Sequence, residues 1–287
     1  MANKVYDIIT DRIIKQLDAG IIPWHKPWVS QQPTNAISKK AYRGINIFLL
    51  SGQYANPYWL TYNQAQTLKG NVMKGEKSSP VIFWAKSTRA TKTDKVTGDK
   101  TEVTKERDIP ILRYFNVFNA DQCENLPDEY YNINNKIDFI PVDKAEQLIN
   151  NYPGSPEIKH SEQRAYYSPS RDIINMPKKE SFEDIESYYS VLFHEMIHST
   201  GHESRLNRIS DNASFGNEDY SKEELTAELG AAFLRAETGI NSDSGMTRSA
   251  GYIQSWIRAL RNDTKMIIQA SSKGQKAADY IINREVV

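Results

Sequence analysis

The chain has 287 residues, 39% of them hydrophobic, which suffices for one large or two ordinary domains and excludes disorder as the starting expectation. A single cysteine, Cys123, excludes an intramolecular disulfide framework and any cysteine-rich zinc module, fits a reducing, cytoplasmic setting, and reads as a small packed apolar residue. The formal net charge of zero conceals a division: residues 1–125 carry 18 Lys and Arg against 11 Asp and Glu, and residues 126–287 carry 18 against 25. Opposite signs in the two parts predict two domains with different partners, the basic one facing a polyanion.

In chain order, Val5, Ile8, Ile9, Ile13 and Leu17 form one stripe at helical spacing and Gly20 ends it, which predicts an amphipathic helix over residues 5–19. Its interspersed charges exclude a signal peptide and a membrane span. The run IIPWHKPW and the residues after it form a loop rich in proline, tryptophan and cations. Short helices are expected over residues 45–50 and 58–69, the second starting near Thr61. Val81 to Trp84 and the run ILRYFNVFN read as strands of a hairpin, with the polar residues 88–108 as its tip or a mobile loop. The first 125 residues are therefore an α+β domain, and residues 126–140, rich in Asn, Asp and Pro, are the linker.

Four of the five tryptophans lie in the basic part, where rings and cations alternate: Trp24, Lys26, Trp28; Tyr42, Arg43; Lys74, Lys77; Trp84, Lys86. Single strands of DNA are held by cations along the backbone and rings that stack on bases, so these nine residues are the candidate DNA contacts. The competing reading is a small aromatic core solvated by lysines. Helix-turn-helix, zinc-finger and RNP signatures are absent, which removes support for sequence-specific duplex reading.

The second domain, residues 141–287, begins with a helix near 142–152, followed by two short strand-like runs in IKHSEQRAYYSPSRDIINMP. Then SFEDIESYYSVLFHEMIHSTG reads as a helix, with Ser181 and Asp184 in capping-box spacing and Gly201 as its stop. It carries two of the five histidines, and a third, His202, follows directly after its stop. His194 and His198 are four apart and share a face, so both imidazoles reach one ion, and Glu195 between them is the general base of an HExxH centre. His202 is rotated by roughly 80° from His194 and follows Gly201, so it is adjacent to the site without being a ligand. Ser204 stands where a metzincin needs a third histidine.

A catalytic zinc needs a third protein ligand and an open position. The helix DYSKEELTAELGAAFLRAETG offers Glu224 and Glu228 one turn apart, and spacing alone leaves both open; Ser221 and Glu224 also have capping-box spacing. The stretch from Glu224 to Glu228 resembles the ExxA-acid signature of zinc peptidases with a glutamate ligand, which implies Glu224 on the metal and Glu228 supporting a ligand histidine. Tyr167, on a strand-like run ahead of the HExxH helix, is a candidate oxyanion donor. Two histidines and a glutamate suit zinc and also admit another divalent ion such as manganese.

WHKPW, NAISKKAYRGIN, YWLTYNQA, MKGEKSSPVIFWAK and YFNVFN, followed by AYYSPSRDIINMP, FHEMIHSTGHESRLNR and EELTAELGAAFL, together resemble the ArdC-type antirestriction proteins of conjugative plasmids. The resemblance implies an N-terminal single-stranded DNA-binding domain, a C-terminal zincin-like metallopeptidase domain that is mainly helical, and protection of incoming plasmid DNA from host restriction. A peptide or protein substrate, or the host restriction machinery, would be the second partner; a membrane would not. A non-catalytic DNA-binding protein with a structural metal and a DNA-targeted cellular protease stay open beside it.

Overall fold

The computed structural model describes residues 2–25, 32–50, 54–93, 100–131, 141–209, 218–240 and 250–284. Helix α1 (Ala2–Asp18) ends at Gly20, whose φ of 75° suits a residue without a Cβ, and its stripe Val5, Ile9, Ile13 and Leu17 is buried. The next elements are β1 (Thr34–Asn35), α2 (Ile45–Leu50), β2 (Tyr58–Leu60), α3 (Tyr62–Thr67) and β3 (Asn71–Val72). Residues 58–60, expected as the start of a helix, instead pair with β1; α3 begins after Thr61, whose side chain forms a complete capping box with Gln64.

The centre of this part is the antiparallel pair β4 (Ser79–Thr93) and β5 (Lys100–Asn119), in a sheet ordered β1-β2-β5-β4. Of the polar run over 88–108, expected as a hairpin tip or a loop, the flanks continue the ladder as far as Thr93 and Lys100, past a register shift between Ala85 and Ser87, and 94–99 lie outside the described residues. Apolar alternation was a poor guide there, because backbone pairing alone defines the ladder. Strand β6 (Cys123–Glu124) pairs with β3, and Cys123 is buried with Leu126 and Tyr130 in a small core that includes Leu60 and Ala65. The expected linker is thus packed over its first residues, while 132–140 lie outside the described residues.

The C-terminal part comprises α4 (Pro141–Asn150), the three-stranded sheet of β7 (Glu157–Lys159), β8 (Tyr166–Ser168) and β9 (Ile173–Asn175), and helices α5 (Ile185–Ser199), α6 (Glu218–Thr238), α7 (Ala250–Asn262) and α8 (Met266–Ile281). Strand β9 is central, parallel to β7 and antiparallel to β8. The N-cap of α5 is Asp184, accepting from the Ser187 amide, and not Ser181; α6 begins before Ser221, which lies inside the helix and not at its N-cap.

Helices α5, α6 and α8 pack closely because small residues meet. A Cβ on Gly274 of α8 would lie 2.8 Å from the Gly230 amide nitrogen, and a Cβ on Gly230 would lie 2.8 Å from the Ile197 side chain of α5. A larger residue at Gly274 would press on the α6 backbone and one at Gly230 would displace Ile197 of α5, so the two glycines set how closely α6 approaches α8 and α5.

The two parts share one hydrophobic core. Trp24 is fully buried, edge-on to Phe48 at 6.5 Å and to Trp256 at 5.2 Å, and Phe48 stacks on Phe233 at 5.0 Å. Buried Arg235 of α6 donates to Ser190 Oγ on α5 and to the Trp24 carbonyl, both at 3.0 Å, and Arg43 pairs with the buried Asp279. Trp24 is therefore core and not a base-stacking surface residue: proline-flanked tryptophan in a loop looked exposed, but its ring closes the seam between the two parts.

Candidate metal centre

Helix α5 is buried from Tyr188 to Ile197, so its histidines face into protein, with side chains only 9% and 13% exposed for His194 and His198. Their four-residue spacing brings the Nε2 atoms to 3.1 Å. Glu224 of α6 completes the group: its Oε2 is 3.7 Å from His194 Nε2 and its Oε1 is 3.5 Å from His198 Nε2. Among the described residues His194, His198 and Glu224 form a metal-capable cluster, one ligand atom from each lying within 4.8 Å of the others.

The chemistry of this donor set fits a divalent ion. Ligands about 2.0–2.1 Å from a tetrahedral ion sit roughly 3.3 Å from one another, and the separations of 3.1, 3.5 and 3.7 Å bracket that value. Two imidazole nitrogens facing each other at such a distance need a proton or a metal ion between them. The opposite ring nitrogens are occupied: His194 Nδ1 is 3.4 Å from Glu228 Oε1, and His198 Nδ1 is 3.2 Å from Glu223 Oε1. A carboxylate at Nδ1 fixes the proton there and leaves Nε2 as the donor atom.

Burial alone would lower the His194 pKa, but Glu224, Glu228 and Glu195 outweigh it and hold it up at about 9. Burial would raise the Glu224 carboxyl, yet its contacts with His194 and His198 bring it down to about 2. Glu228 goes the other way, raised chiefly by burial. The ligand candidate is thus poised as an anion, while the carboxyl behind His194 is the more weakly acidic of the two.

Glu223 and Arg208 also belong to the site, although neither was singled out in the sequence. Arg208 donates from Nε at 2.9 Å and from Nη2 at 2.8 Å to the two Glu223 oxygens, and the same guanidinium donates to Thr200 Oγ1 and the Ile197 carbonyl, each at 2.6 Å. One arginine therefore satisfies the C-terminal end of α5 and orients the carboxylate that holds His198. The doubled Glu223-Glu224 was visible as a signal; Arg208, arriving from a loop, was not.

Glu195 is buried on α5 beside His194. His202 lies past the helix end, its Nδ1 2.8 Å from Ser204 Oγ, outside the metal-capable cluster. The Tyr167 hydroxyl donates to Asp172 at 2.8 Å and receives Arg205, so its proton is already committed. Of the candidate DNA contacts, Lys74, Lys77 and Trp84 are exposed, Tyr42 packs against the cluster of Leu50 and Trp59, and Arg43 is paired as described. Lys26, Trp28 and the side chain of Lys86 lie outside the described residues.

Known proteins share this architecture. Residues 3–118 match the N-terminal domain of anti-restriction factor ArdC, and residues 143–273 match a zincin-like metallopeptidase family. The crystal structure of the antirestriction ArdC protein from plasmid R388 is 37% identical and superimposes with a TM-score of 0.73 over 98% of this chain and 99% of that one. The chain belongs to the ArdC antirestriction family. A Mn(II)-bound structure of the R388 protein aligns with a TM-score of 0.76 over 97% of both chains. Outside solved structures, the chain is 34% identical to an uncharacterised protein, y4eC, of Sinorhizobium fredii, over 96% of this chain and 91% of that protein. It is also 37% identical to the DNA primase TraC of Escherichia coli, of whose length it spans only 27%. This member of the ArdC family therefore combines an ArdC N-terminal domain with a zincin-like domain, whose fold implies a metal ion, in a mixed α and β chain. Among the described residues no helix is long and apolar enough to cross a membrane.

Proposed function

We propose that this ArdC-family protein binds single-stranded DNA through its basic N-terminal domain, protects incoming plasmid DNA from host restriction, and carries a hydrolytic metal centre in its C-terminal domain. The domains divide near residues 126–140. The observation that carries the metal centre is the convergence of His194, His198 and Glu224 donor atoms within 4.8 Å of one another beside a buried glutamate. The basic surplus of residues 1–125 and the exposed Lys74, Lys77 and Trp84 support the DNA reading.

The three residues would hold zinc or another divalent ion, manganese included, and the Mn(II)-bound relative is in keeping with that range. Such an ion supplies a Lewis acid and a water molecule of lowered pKa. The chain supplies the rest. Glu195 takes the proton of the attacking water at its carboxylate and returns it to the leaving amine of a peptide substrate. Glu228 and Glu223 hold the histidine Nδ1 protons so that both Nε2 lone pairs stay available. Tyr167 contributes no oxyanion donor in this reading, because Asp172 takes its proton.

Glu195→Gln tests the reading. It should leave metal content and DNA affinity unchanged and abolish hydrolysis of a peptide library. Intact antirestriction in that variant would separate protection from hydrolysis.

A further inference from the structure

With Trp24 in the core, three exposed rings of the N-terminal part, Trp84, Tyr114 and Phe115, lie on the β4–β5 pair. Its register sets Phe83 opposite Arg113, Val81 opposite Phe115 and Trp84 opposite Leu112. Strand alternation then places Val81, Phe83, Arg113, Phe115 and Val117 on one face. Val81 and Val117 are buried against Leu50 and Trp59, which anchors this face at one end. Farther along, Phe83 and Phe115 stack with ring centroids 4.6 Å apart and planes within 2° of parallel, and Phe115 is 54% exposed. Arg113, directly across from Phe83, is exposed as well.

A parallel phenylalanine pair held open to solvent gains little for stability, since most of the Phe115 surface stays wet. It does present a flat π-surface on rigid strands next to a guanidinium. That combination matches single-stranded nucleic acid, in which an unpaired base stacks and its phosphate meets a cation. Charge complementarity selects this occupant over an apolar protein surface: the domain carries seven more cations than anions through residue 125, and Lys74 and Lys77, just before β4, are exposed.

We infer that Phe83 and Phe115 form the base-stacking step of the DNA site, with Arg113 as the cation for the adjoining phosphate. The inference rests on the single-stranded DNA reading above and names the surface that performs it. Neither phenylalanine was marked by the sequence, where both look like ordinary strand apolar residues.

Fluorescence anisotropy of the full-length protein with a labelled oligo(dT) and an abasic oligonucleotide of the same length tests it. Wild type should prefer the dT strand. Phe115→Ala should weaken dT binding roughly tenfold, as expected for one lost stacking contact, and leave abasic binding nearly unchanged. Phe115→Leu, which keeps the apolar bulk, should behave like the alanine variant, and Phe115→Tyr should restore the preference. Arg113→Ala should weaken both probes and reduce the salt slope by about 0.7. If wild type binds and Phe83→Ala/Phe115→Ala retains the full preference for dT, the stacking step is overturned while the DNA reading stands. If wild type binds neither probe, the DNA reading itself falls and this inference with it.

Discussion

The α5–α6 pair and the β4–β5 pair hold the two candidate sites, and they place functional side chains by different rules. On α5 and α6 the helical period decides which residues share a face, so His194 and His198 had to converge and a carboxylate from a neighbouring helix had to meet them. On the sheet, alternation decides only which face a ring takes. Whether that face is covered depends on elements far away in sequence: Leu50 and Trp59 cover Val81, and nothing described covers Phe115 to the same degree. A spacing motif thus carries its own geometry, whereas aromatic composition mixes core with surface.

The largest expected effect tests that mixture directly. Trp24→Ala should cost roughly 3–5 kcal/mol of unfolding free energy, the range for emptying a large buried aromatic site, because Trp24 packs on Phe48 and Trp256 across the seam. Phe115→Ala should stay within about 0.5 kcal/mol of wild type, as an exposed substitution does. Urea denaturation of both variants measures the contrast. Equal destabilisation would mean that the two rings do the same job and that the division into core and surface is wrong.

Much of the molecule was legible because local chemistry and global packing agree. The stripe of α1, the HExxH helix and the glutamate helix follow from periodicity, with their boundaries shifted by a few residues. The misread parts share a cause: the deciding partner comes from elsewhere in the chain. Ser181 had the right spacing to cap α5, but Asp184 stands at the helix entry and does so. Trp24 looked like a surface ring until Trp256 and Arg235 closed over it. Arg208 could not be chosen at all, since its role depends on a loop folding back onto the end of α5.

The second prediction sharpens the helical side. If His198 is held for metal by Glu223 and Arg208, then Glu223→Gln should weaken metal affinity by roughly 10–100-fold, the usual cost of losing a group that orients a ligand. Arg208→Lys, which cannot make the two-pronged contact, should fall in the same direction. Competition with a chromophoric chelator reads the affinity, and a thermal melt of metal-stripped protein separates it from stability. Unchanged affinity with a lowered melting temperature would make the pair a helix-end clamp only. That outcome would also narrow the contrast between the sites, because the helices would then fix the ligands by period alone.

The smallest effect concerns the corner where sequence suggested an oxyanion donor and the structure has an ionic clasp. Arg205, whose side chain is almost fully buried, pairs with Asp172 and donates to the Ser199 and Gly154 carbonyls at 2.7 and 3.0 Å, tying the turn between β8 and β9 and the loop after α4 to the end of α5. The hydrogen bond from Arg205, helped by the one from Tyr167, holds the Asp172 carboxyl below its ordinary value. A depressed folded-state pKa means stability that is present above the unfolded carboxylate's pKa of about 3.9 and is lost as pH falls through the lower folded-state value. Asp172→Asn keeps the shape and removes the charge. It should cost roughly 1 kcal/mol at neutral pH, discounted because Asp172 is partly exposed, and the gap to wild type should close in acid. Unfolding free energies of both proteins between pH 7 and pH 3 provide the measurement. A gap that stays constant with pH would mean that the clasp acts through shape alone and that the Asp172 charge contributes nothing to stability.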